Sequence, residues 1–360
     1  MAGSDVQDVD VLVIGLGPGG GSAAWKAAVG GARVLAVERN ERVGEPVQCA
    51  EFIPSPMGAY ARHEGVKIQG ITGMKSVLPS GAVAATDFPG IMIDRARFDQ
   101  TIAARAAEAG AHLWTGSRLV SLDASERTAV IRRKAVGREE RVRYRYLIAA
   151  DGPHSPVAAA MGLPALEVVY TRQYTSALKV PYSDTDIWLS DEFPGGYGWL
   201  FPKGAVANVG LGADKRFEDN LKAPLERLHA QLVRDGLVDA EVLYRTGGAI
   251  PVGGLRDRLT VGRTLFVGDA AGLTHPISGA GISAAVVSGE RAGQAAADAL
   301  AGDGDALEDF EEDVRDQYEV SIARAVDRRR YLKQFWRTAK AGEDAVQRRG
   351  WIAFDDYFAA

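Results

Sequence analysis

Cysteine, histidine and long apolar runs are scarce in this chain, and each scarcity closes off a class of protein. A single cysteine in 360 residues, Cys49, excludes an intramolecular disulfide, and five scattered histidines without metal-ligand spacing argue against a structural metal. No apolar run reaches the roughly 18 residues of a membrane span. Residues 1–10 are acidic and lack a basic region leading into an apolar one, so no signal peptide is expected and the default compartment is the cytoplasm. Excess positive charge is missing too: 42 Lys and Arg against 47 Asp and Glu leave a net charge of −5, where a nucleic-acid-binding domain would be strongly basic. No nucleic-acid partner is therefore expected. What remains is globular, 46% hydrophobic and long enough for two or three domains of roughly 150 residues each.

The chain is organised around VDVLVIGLGPGGGSAAWKAA, residues 9–28, followed by GARVLAVER, which ends at Arg39. An apolar, β-branched run at 11–14 stops at Gly15, a glycine-rich turn follows, and Ala23, Ala24, Ala27 and Ala28 continue as a helix. Gly15, Gly17 and Gly20 occupy the three positions of GxGxxG, which serve a tight turn, close backbone approach to a pyrophosphate, and close packing of helix on strand. A second strand at 33–37 delivers Glu38 about twenty residues on, where a carboxylate accepts hydrogen bonds from a ribose diol. The pyrophosphate would sit at the positive end of the helix. An adenine dinucleotide site is the expectation.

Beyond Arg39, the segment ERVGEPVQCAEFIP is punctuated by Gly44, Pro46 and Pro54 and reads as a loop beside the cofactor, which places Cys49 near the chemistry. A free cysteine is also compatible with an inert small hydrophobe. Residues 78–88 read as a hairpin turning at Ser80-Gly81. Phe98, Ile102 and Ala106 have helical spacing between Asp94 and Gly110, predicting a capped helix that leads into a strand at 111–114. Arg95 and Arg97 at its start are either solvated or within reach of a phosphate or ring edge. Residues 118–145 alternate as an exposed meander, and 146–150 form a buried strand ending at Asp151-Gly152, the carboxyl end where open α/β sheets bind ligands.

Between 167 and 244 the composition shifts to short aromatic strands separated by Pro and Gly turns, predicting an antiparallel sheet that faces substrate, with one helix inserted from the spacing of Leu221, Leu225, Leu228 and Leu232. A later strand at 265–267 reaches the sharp turn Gly268-Asp269, and Gly279-Ala280-Gly281 opens a long alanine-rich helix whose unpaired amides favour electron density on a redox-active ring. From 303 onward an acidic run is followed by a basic helix with Tyr331, Phe335 and Trp336. This part reads first as a solvated helical cover and second as a membrane-surface or partner helix.

Three motifs, GLGPGG…ER, ADGPHS and GDAAGLTHPISGAGI, stand in the order and at the wide spacings of FAD-dependent oxidoreductases of the p-hydroxybenzoate hydroxylase type, which the chain resembles over nearly its whole length. The resemblance implies FAD, with Gly15, Gly17, Gly20, Glu38 and Arg39 on the pyrophosphate and adenosine side and Gly268 and Asp269 on the ribityl chain. It further implies cofactor contacts from Arg95 of the RxxFD set (Arg95, Phe98, Asp99) and from Asp151, Pro276, Gly279, Ala280, Gly281 and Ile282. The fold class expected is α/β: a Rossmann-type FAD-binding domain (6–75, 91–165 and 246–302) with an inserted antiparallel β-sheet substrate domain (76–90 and 166–245) and C-terminal helices (303–360).

Within that superfamily, PVQCAEFIP resembles the PxxCGEG loop of geranylgeranyl reductases, with Ala50 and Phe52 in place of its two glycines, and GYGWLFPKGAVANVGLG resembles their YxWxFP strand followed by NVGLG. This resemblance implies reduction of carbon–carbon double bonds of a prenyl chain, an apolar isoprenoid substrate, and a peripheral contact with membrane as an alternative to a purely cytoplasmic setting. Tyr197 and Trp199 would line an apolar tunnel over the ring, and Cys49 would either donate a proton or line the pocket. Only one complete GxGxxG is present, so NAD(P)H or another electron donor would bind transiently. Two further functions share the FAD motifs. An aromatic hydroxylase, or a halogenase as its variant, would consume oxygen and NAD(P)H, whereas an electron-transfer flavoprotein would present a closed face in place of a cavity.

Overall fold

The structure is a computed structural model that describes residues 6–359. Of the acidic N-terminal stretch, residues 1–5 thus lie outside the described residues. Three sheets carry the chain. The first has six strands in the order Thr260–Val261, Thr264–Phe266, Tyr146–Ala149, Val11–Ile14, Val34–Val37 and His112–Trp114. Every pair in it is parallel except the terminal hairpin. Val11–Ile14, Val34–Val37 and Tyr146–Ala149 are buried at every position, as parallel strands covered on both faces must be.

Two helices cover this sheet through small residues. Pro18–Val29 buries Gly19, Gly20, Gly21, Ala23, Ala24, Ala27 and Ala28, and Ile282–Ala301 lies against it. A methyl at Gly289 would stand 2.1 Å from the Gly19 carbonyl oxygen, and one at Gly293 would stand 2.3 Å from that of Ala23. The helices therefore touch backbone to backbone, which aligns both N-termini with the carboxyl edge of the sheet. Beside this core, Ser117–Asp123, Thr128–Arg133 and Arg138–Arg143 form the expected antiparallel meander, edged by Gln7–Asp8.

The largest sheet has nine strands, in the order Tyr244–Thr246, Val168–Ala177, Val206–Ala213, Gly198–Lys203, Asp184–Trp188, Lys67–Val77, Val83–Ile93 and Phe52–Pro54, with Ala249–Pro251 also paired to Val168–Ala177. The hairpin at Ser80-Gly81 is present, with Gly81 in the left-handed region (φ +86°). Two features differ from the sequence reading. Asp184–Trp188 runs parallel to Lys67–Val77, because the more than one hundred intervening residues return through the first sheet and no hairpin constrains the direction. The expected domain limits also fall inside paired strands: 75/76 lies within Lys67–Val77 and 245/246 within Tyr244–Thr246, since composition carries no trace of which distant strand a run pairs with.

Alternation along the strands of this sheet divides its faces. Leu200, Val209, Leu211 and Tyr174 pack under Leu225, Leu228 and Leu232 of the helix Lys222–Arg234. Trp199, Phe201, Gln173, Ile187 and Met74 point the other way, toward the carboxyl edge of the six-stranded sheet.

The C-terminal region differs from a solvated cover. Ala306–Lys333 is one helix, but Arg329 on its basic half is buried, donates to the Gly195 carbonyl at 2.6 Å and pairs with Asp214 at 3.6 Å. Trp336 packs edge-on against Phe217. The charge alternation hides these contacts because the partners lie more than one hundred residues away.

Candidate active site

Between the two larger sheets lies a cavity of about 590 Å³. One half is lined by backbone and polar groups, among them Gly17, Gly19, Arg95, Gly268, Asp269 and 279–281. The other half is an apolar lobe walled by Phe52, Met74, Phe88, Ile187, Tyr197, Trp199, Phe201 and Trp351.

The glycine-rich turn explains the polar half. Gly15 is left-handed (φ +97°), and a methyl there would overlap the Ala150 carbonyl oxygen at 2.3 Å. At Gly20 a methyl would stand 1.8 Å from the Gly15 oxygen, so helix and turn close on each other only through glycine. A methyl at Gly17 would meet nothing within 4 Å. Its surroundings are open on the cavity side, at the start of a helix whose first amides have no partner within it. Glu38 is buried and accepts from the Leu16 amide at 3.0 Å and the Asn40 amide at 2.9 Å, which orients its carboxylate beside this turn. Arg39 is exposed next to it.

In the same polar half, the Asp269 carboxyl receives the Thr274 hydroxyl at 2.5 Å, and burial raises its pKa above the ordinary carboxylate range. Gly279 is left-handed (φ +70°), and a methyl at Gly281 would press on the Thr274 hydroxyl at 2.6 Å. These glycines and Ala280 bring bare backbone to the cavity at the start of Ile282–Ala301. Arg95 lines the cavity with its guanidinium held by Asp99 at 2.8 and 3.0 Å.

Of the residues expected at the cofactor, Gly15, Gly20, Glu38, Arg39, Asp151 and Pro276 are not themselves cavity lining. One oxygen of the Asp151 carboxylate accepts from the Val157 amide at 2.9 Å, at the start of the short helix Pro156–Ala160 that Ser155 caps, and the other is buried without a hydrogen-bond partner among the described residues; Ala150 and Gly152 on either side line the cavity. Pro276 lines a separate small void behind Tyr197. A motif indicates a loop, and only the fold decides which of its atoms face inward.

In the apolar lobe both candidate aromatics are cavity lining. The Tyr197 hydroxyl donates to the Ser278 carbonyl, and the Trp199 indole nitrogen donates to Gln173 Oε1 at 3.1 Å. Cys49 stands in the cavity wall near Arg95; burial pushes its thiol above the ordinary pKa, outweighing the opposing pull of the guanidinium. The thiol is therefore protonated at neutral pH.

Sequence reasoning missed the group that holds the Cys49 loop. Glu51 has a left-handed backbone (φ +71°), its side chain is 5% exposed, and its carboxylate receives Lys203 Nζ at 2.7 and 2.8 Å, Asn208 Nδ2 at 3.1 Å and the Arg95 amide at 3.0 Å. Gln173 Nε2 donates to the Cys49 carbonyl at 3.1 Å, and Asn208 Nδ2 also reaches that of Ala50 at 3.3 Å. Three adjacent strands of the large sheet thus clamp one loop. The available signal was a carboxylate set between Ala50 and Phe52, in the place of the Glu of the CGEG loop.

His275 was missed as well. Its Nδ1 accepts from the Ser278 amide at 3.1 Å, its Nε2 meets the Tyr357 hydroxyl at 3.3 Å, and burial lowers its pKa to about 4. Because the unfolded imidazole titrates near 6.5, it takes up a proton between about pH 6.5 and 4 that the folded state refuses. His275 thus contributes stability above about pH 6.5 that is lost as pH falls through 4. Between pH 7 and 5 the loss is about 2 kcal/mol. Urea denaturation of the full chain at both pH values should show it as the difference between wild type and His275→Asn, a comparison that cancels the opposing contribution of Asp186, whose carboxyl burial raises to about 6. Equal pH dependence in the two proteins would contradict this.

Comparison with known proteins accords with the geometry. A family model described as the FAD binding domain matches residues 88–193, and one described as the geranylgeranyl reductase catalytic domain matches residues 169–248. The chain is 34% identical over 329 residues to the digeranylgeranylglycerophospholipid reductase of Methanocaldococcus jannaschii, covering 88% of this chain and 82% of that one. It belongs to the geranylgeranyl reductase family. Digeranylgeranylglycerophospholipid reductase 2 of Methanopyrus kandleri is 35% identical over 337 residues, covering 88% and 84%. The crystal structure of a geranylgeranyl bacteriochlorophyll reductase-like protein from Thermoplasma acidophilum superposes with a TM-score of 0.86 at 27% identity, over 97% of this chain and 93% of that one. A myxobacterial chondrochloren halogenase (TM-score 0.71, 20% identity, 88% and 81% covered) shares the fold.

The chain is accordingly an FAD-dependent oxidoreductase of this reductase family. The open space at Gly17 and the buried carboxyl of Asp269, both in the glycine-lined half of the cavity, fit a dinucleotide. Among the described residues no group of three or more His, Cys, Asp or Glu could hold a metal ion, and no helix is long and apolar enough to cross a membrane.

Proposed function

We propose that this geranylgeranyl reductase family member saturates carbon–carbon double bonds of a prenyl chain of geranylgeranyl type, carried on a lipid-like molecule. The observation that carries the reading is the continuity of the aromatic lobe with the glycine-lined half: one cavity takes both a dinucleotide and an apolar chain. FAD, when bound and reduced, supplies the hydride. The residues divide the remaining work. Gly17 and the helix start behind it receive the pyrophosphate, Glu38 a ribose diol, and Asp269 ribityl hydroxyls. Ile187, Met74, Trp199 and Phe201 hold the chain and exclude water, with the polar tip of Trp199 already hydrogen-bonded.

Hydride arrival at one alkene carbon leaves the other needing a proton. The Cys49 thiol, kept protonated by burial and lying beside Arg95, is the group we assign to deliver it; the guanidinium steadies the resulting thiolate until solvent reprotonates it. The donor that reduces the flavin is proposed to be NAD(P)H or another carrier that docks transiently. A lipid-borne substrate implies contact with a membrane surface, not a span.

Anaerobic incubation of the reduced enzyme with geranylgeranyl lipids should reoxidise the flavin and add mass in steps of two hydrogens, and Cys49→Ser should slow this step while leaving flavin reduction unchanged. No mass change with any isoprenoid would overturn the reading. Substrate-stimulated oxygen consumption would point instead to a monooxygenase.

A further inference from the structure

The apolar lobe is closed on one side by residues outside both stretches matched by the family models, 88–193 and 169–248. Trp351 and Ile352 follow the helix Asp344–Gly350 and line the cavity. Trp351 is 3% exposed, and its ring meets that of Tyr197 edge-on at 4.8 Å between centroids. Behind this pair lies a second void, of about 30 Å³, bordered by Tyr197 and Trp351 themselves together with Arg329 and Gln347. Two aromatic rings are thus the partition between the lobe and the space beyond it.

The partition is anchored from separate parts of the fold. The Trp351 indole nitrogen donates to the Ser76 hydroxyl at 3.0 Å, on the strand Lys67–Val77. The Asp344 carboxylate accepts from both the amide and the hydroxyl of Ser80, in the adjoining turn. At the other end Tyr357 meets His275 in the cofactor-side loop, and Arg328 donates to the Tyr357 carbonyl at 2.8 Å. A segment tied at its start, middle and end is a fixed wall.

We infer that Trp351, backed by Tyr197, is the specificity-determining wall of the apolar lobe and sets how far a prenyl chain extends on that side. The inference rests on the proposed reductase function for its ligand class, but not for its test. A side chain that fills the boundary excludes atoms beyond it; removing the indole joins the lobe to the void behind it. Longer chains should then gain affinity relative to shorter ones.

The test uses FAD-loaded protein and fully saturated, branched isoprenoid alcohols of two to six units, which are not reducible, with binding followed by the change in flavin absorbance. Trp351→Ala should move the best-bound length upward by at least one isoprene unit and raise the long-to-short affinity ratio about tenfold or more. Trp351→Leu should shift it the same way by less, which keeps the test available should the alanine variant fail to fold. Trp351→Phe retains a ring but loses the bond to Ser76, and should keep the wild-type length preference. An unchanged length profile in folded Trp351→Ala or Trp351→Leu overturns the inference. Failure of reduced enzyme to act on any unsaturated isoprenoid overturns the proposed reaction and leaves this binding result to stand or fall alone.

Discussion

Gly17→Leu should yield a folded protein without flavin. The backbone at Gly17 has φ −69° and ψ −169°, which any residue adopts, and a methyl built there touches nothing within 4 Å, so neither strain nor collision opposes the substitution in the empty protein. A leucine would instead fill the space at the helix start where the pyrophosphate is to lie. Thermal unfolding should stay within a few degrees of that of flavin-stripped wild type, since bound flavin itself adds stability, while flavin absorbance of the purified protein disappears. Gly20 provides the contrast. A methyl there collides with the Gly15 oxygen at 1.8 Å and presses on Ala150 at 3.0 Å, so Gly20→Ala should lower stability by roughly 1–3 kcal/mol or more through overpacking. Asp269→Ala tests the other end of the cofactor: each charge-assisted bond lost is worth about 1.5–3 kcal/mol. That amounts to a roughly ten- to hundredfold weaker grip on FAD. Wild-type flavin content in Gly17→Leu would show that the turn does not approach the cofactor.

The contrast between Gly17 and Gly20 also marks what the sequence reveals. GxGxxG is legible because three glycines, a strand, a helix and an acidic residue must fall in register within thirty residues, and local registers survive in one dimension. The parallel core, the meander, the aromatic strands and the long helix after Gly281 were legible for the same reason. The clamp on the Cys49 loop was not, because Glu51, Gln173, Lys203 and Asn208 span more than 150 positions and come together only when three strands of one sheet lie side by side. Trp351, within the segment that reads as a helical cover, escapes notice for the same cause: nothing near it in sequence announces Ser76 or Tyr197. Asp151 and Pro276 belong to motifs whose neighbouring residues, Ala150, Gly152, His275 and Ser278, are the ones that line the cavity.

Lys203→Met is expected to cost about 3–5 kcal/mol, because it strands a buried carboxylate. The Glu51 side chain is 5% exposed, and Lys203 supplies two of its hydrogen bonds and, among the described residues, the one counter-charge in direct contact. Asn208 and the Arg95 amide remain, but neither carries charge. The reverse variant should be milder. In Glu51→Gln the amide still receives Asn208 or Lys203, and the Lys203 side chain, 20% exposed, can turn its ammonium toward water. The double variant Lys203→Met with Glu51→Gln should recover most of the loss, since no charge is left unpaired; that non-additivity separates a charge effect from a packing effect. A second measurement reaches the site itself. Glu51 holds a left-handed backbone, a conformation that costs of order 1–3 kcal/mol and persists only where surrounding contacts enforce it. Without Lys203 the loop should relax toward an unstrained path and expose the Cys49 thiol, whose sulfur now accepts from the Glu51 amide at 3.2 Å. Alkylation of Cys49 in the FAD-loaded protein should therefore be at least tenfold faster in Lys203→Met than in wild type, and near wild type in Glu51→Gln. Equal alkylation rates in all three proteins would mean that Gln173 and Asn208 hold the loop by themselves, and that the ion pair stabilises the fold without shaping the active site.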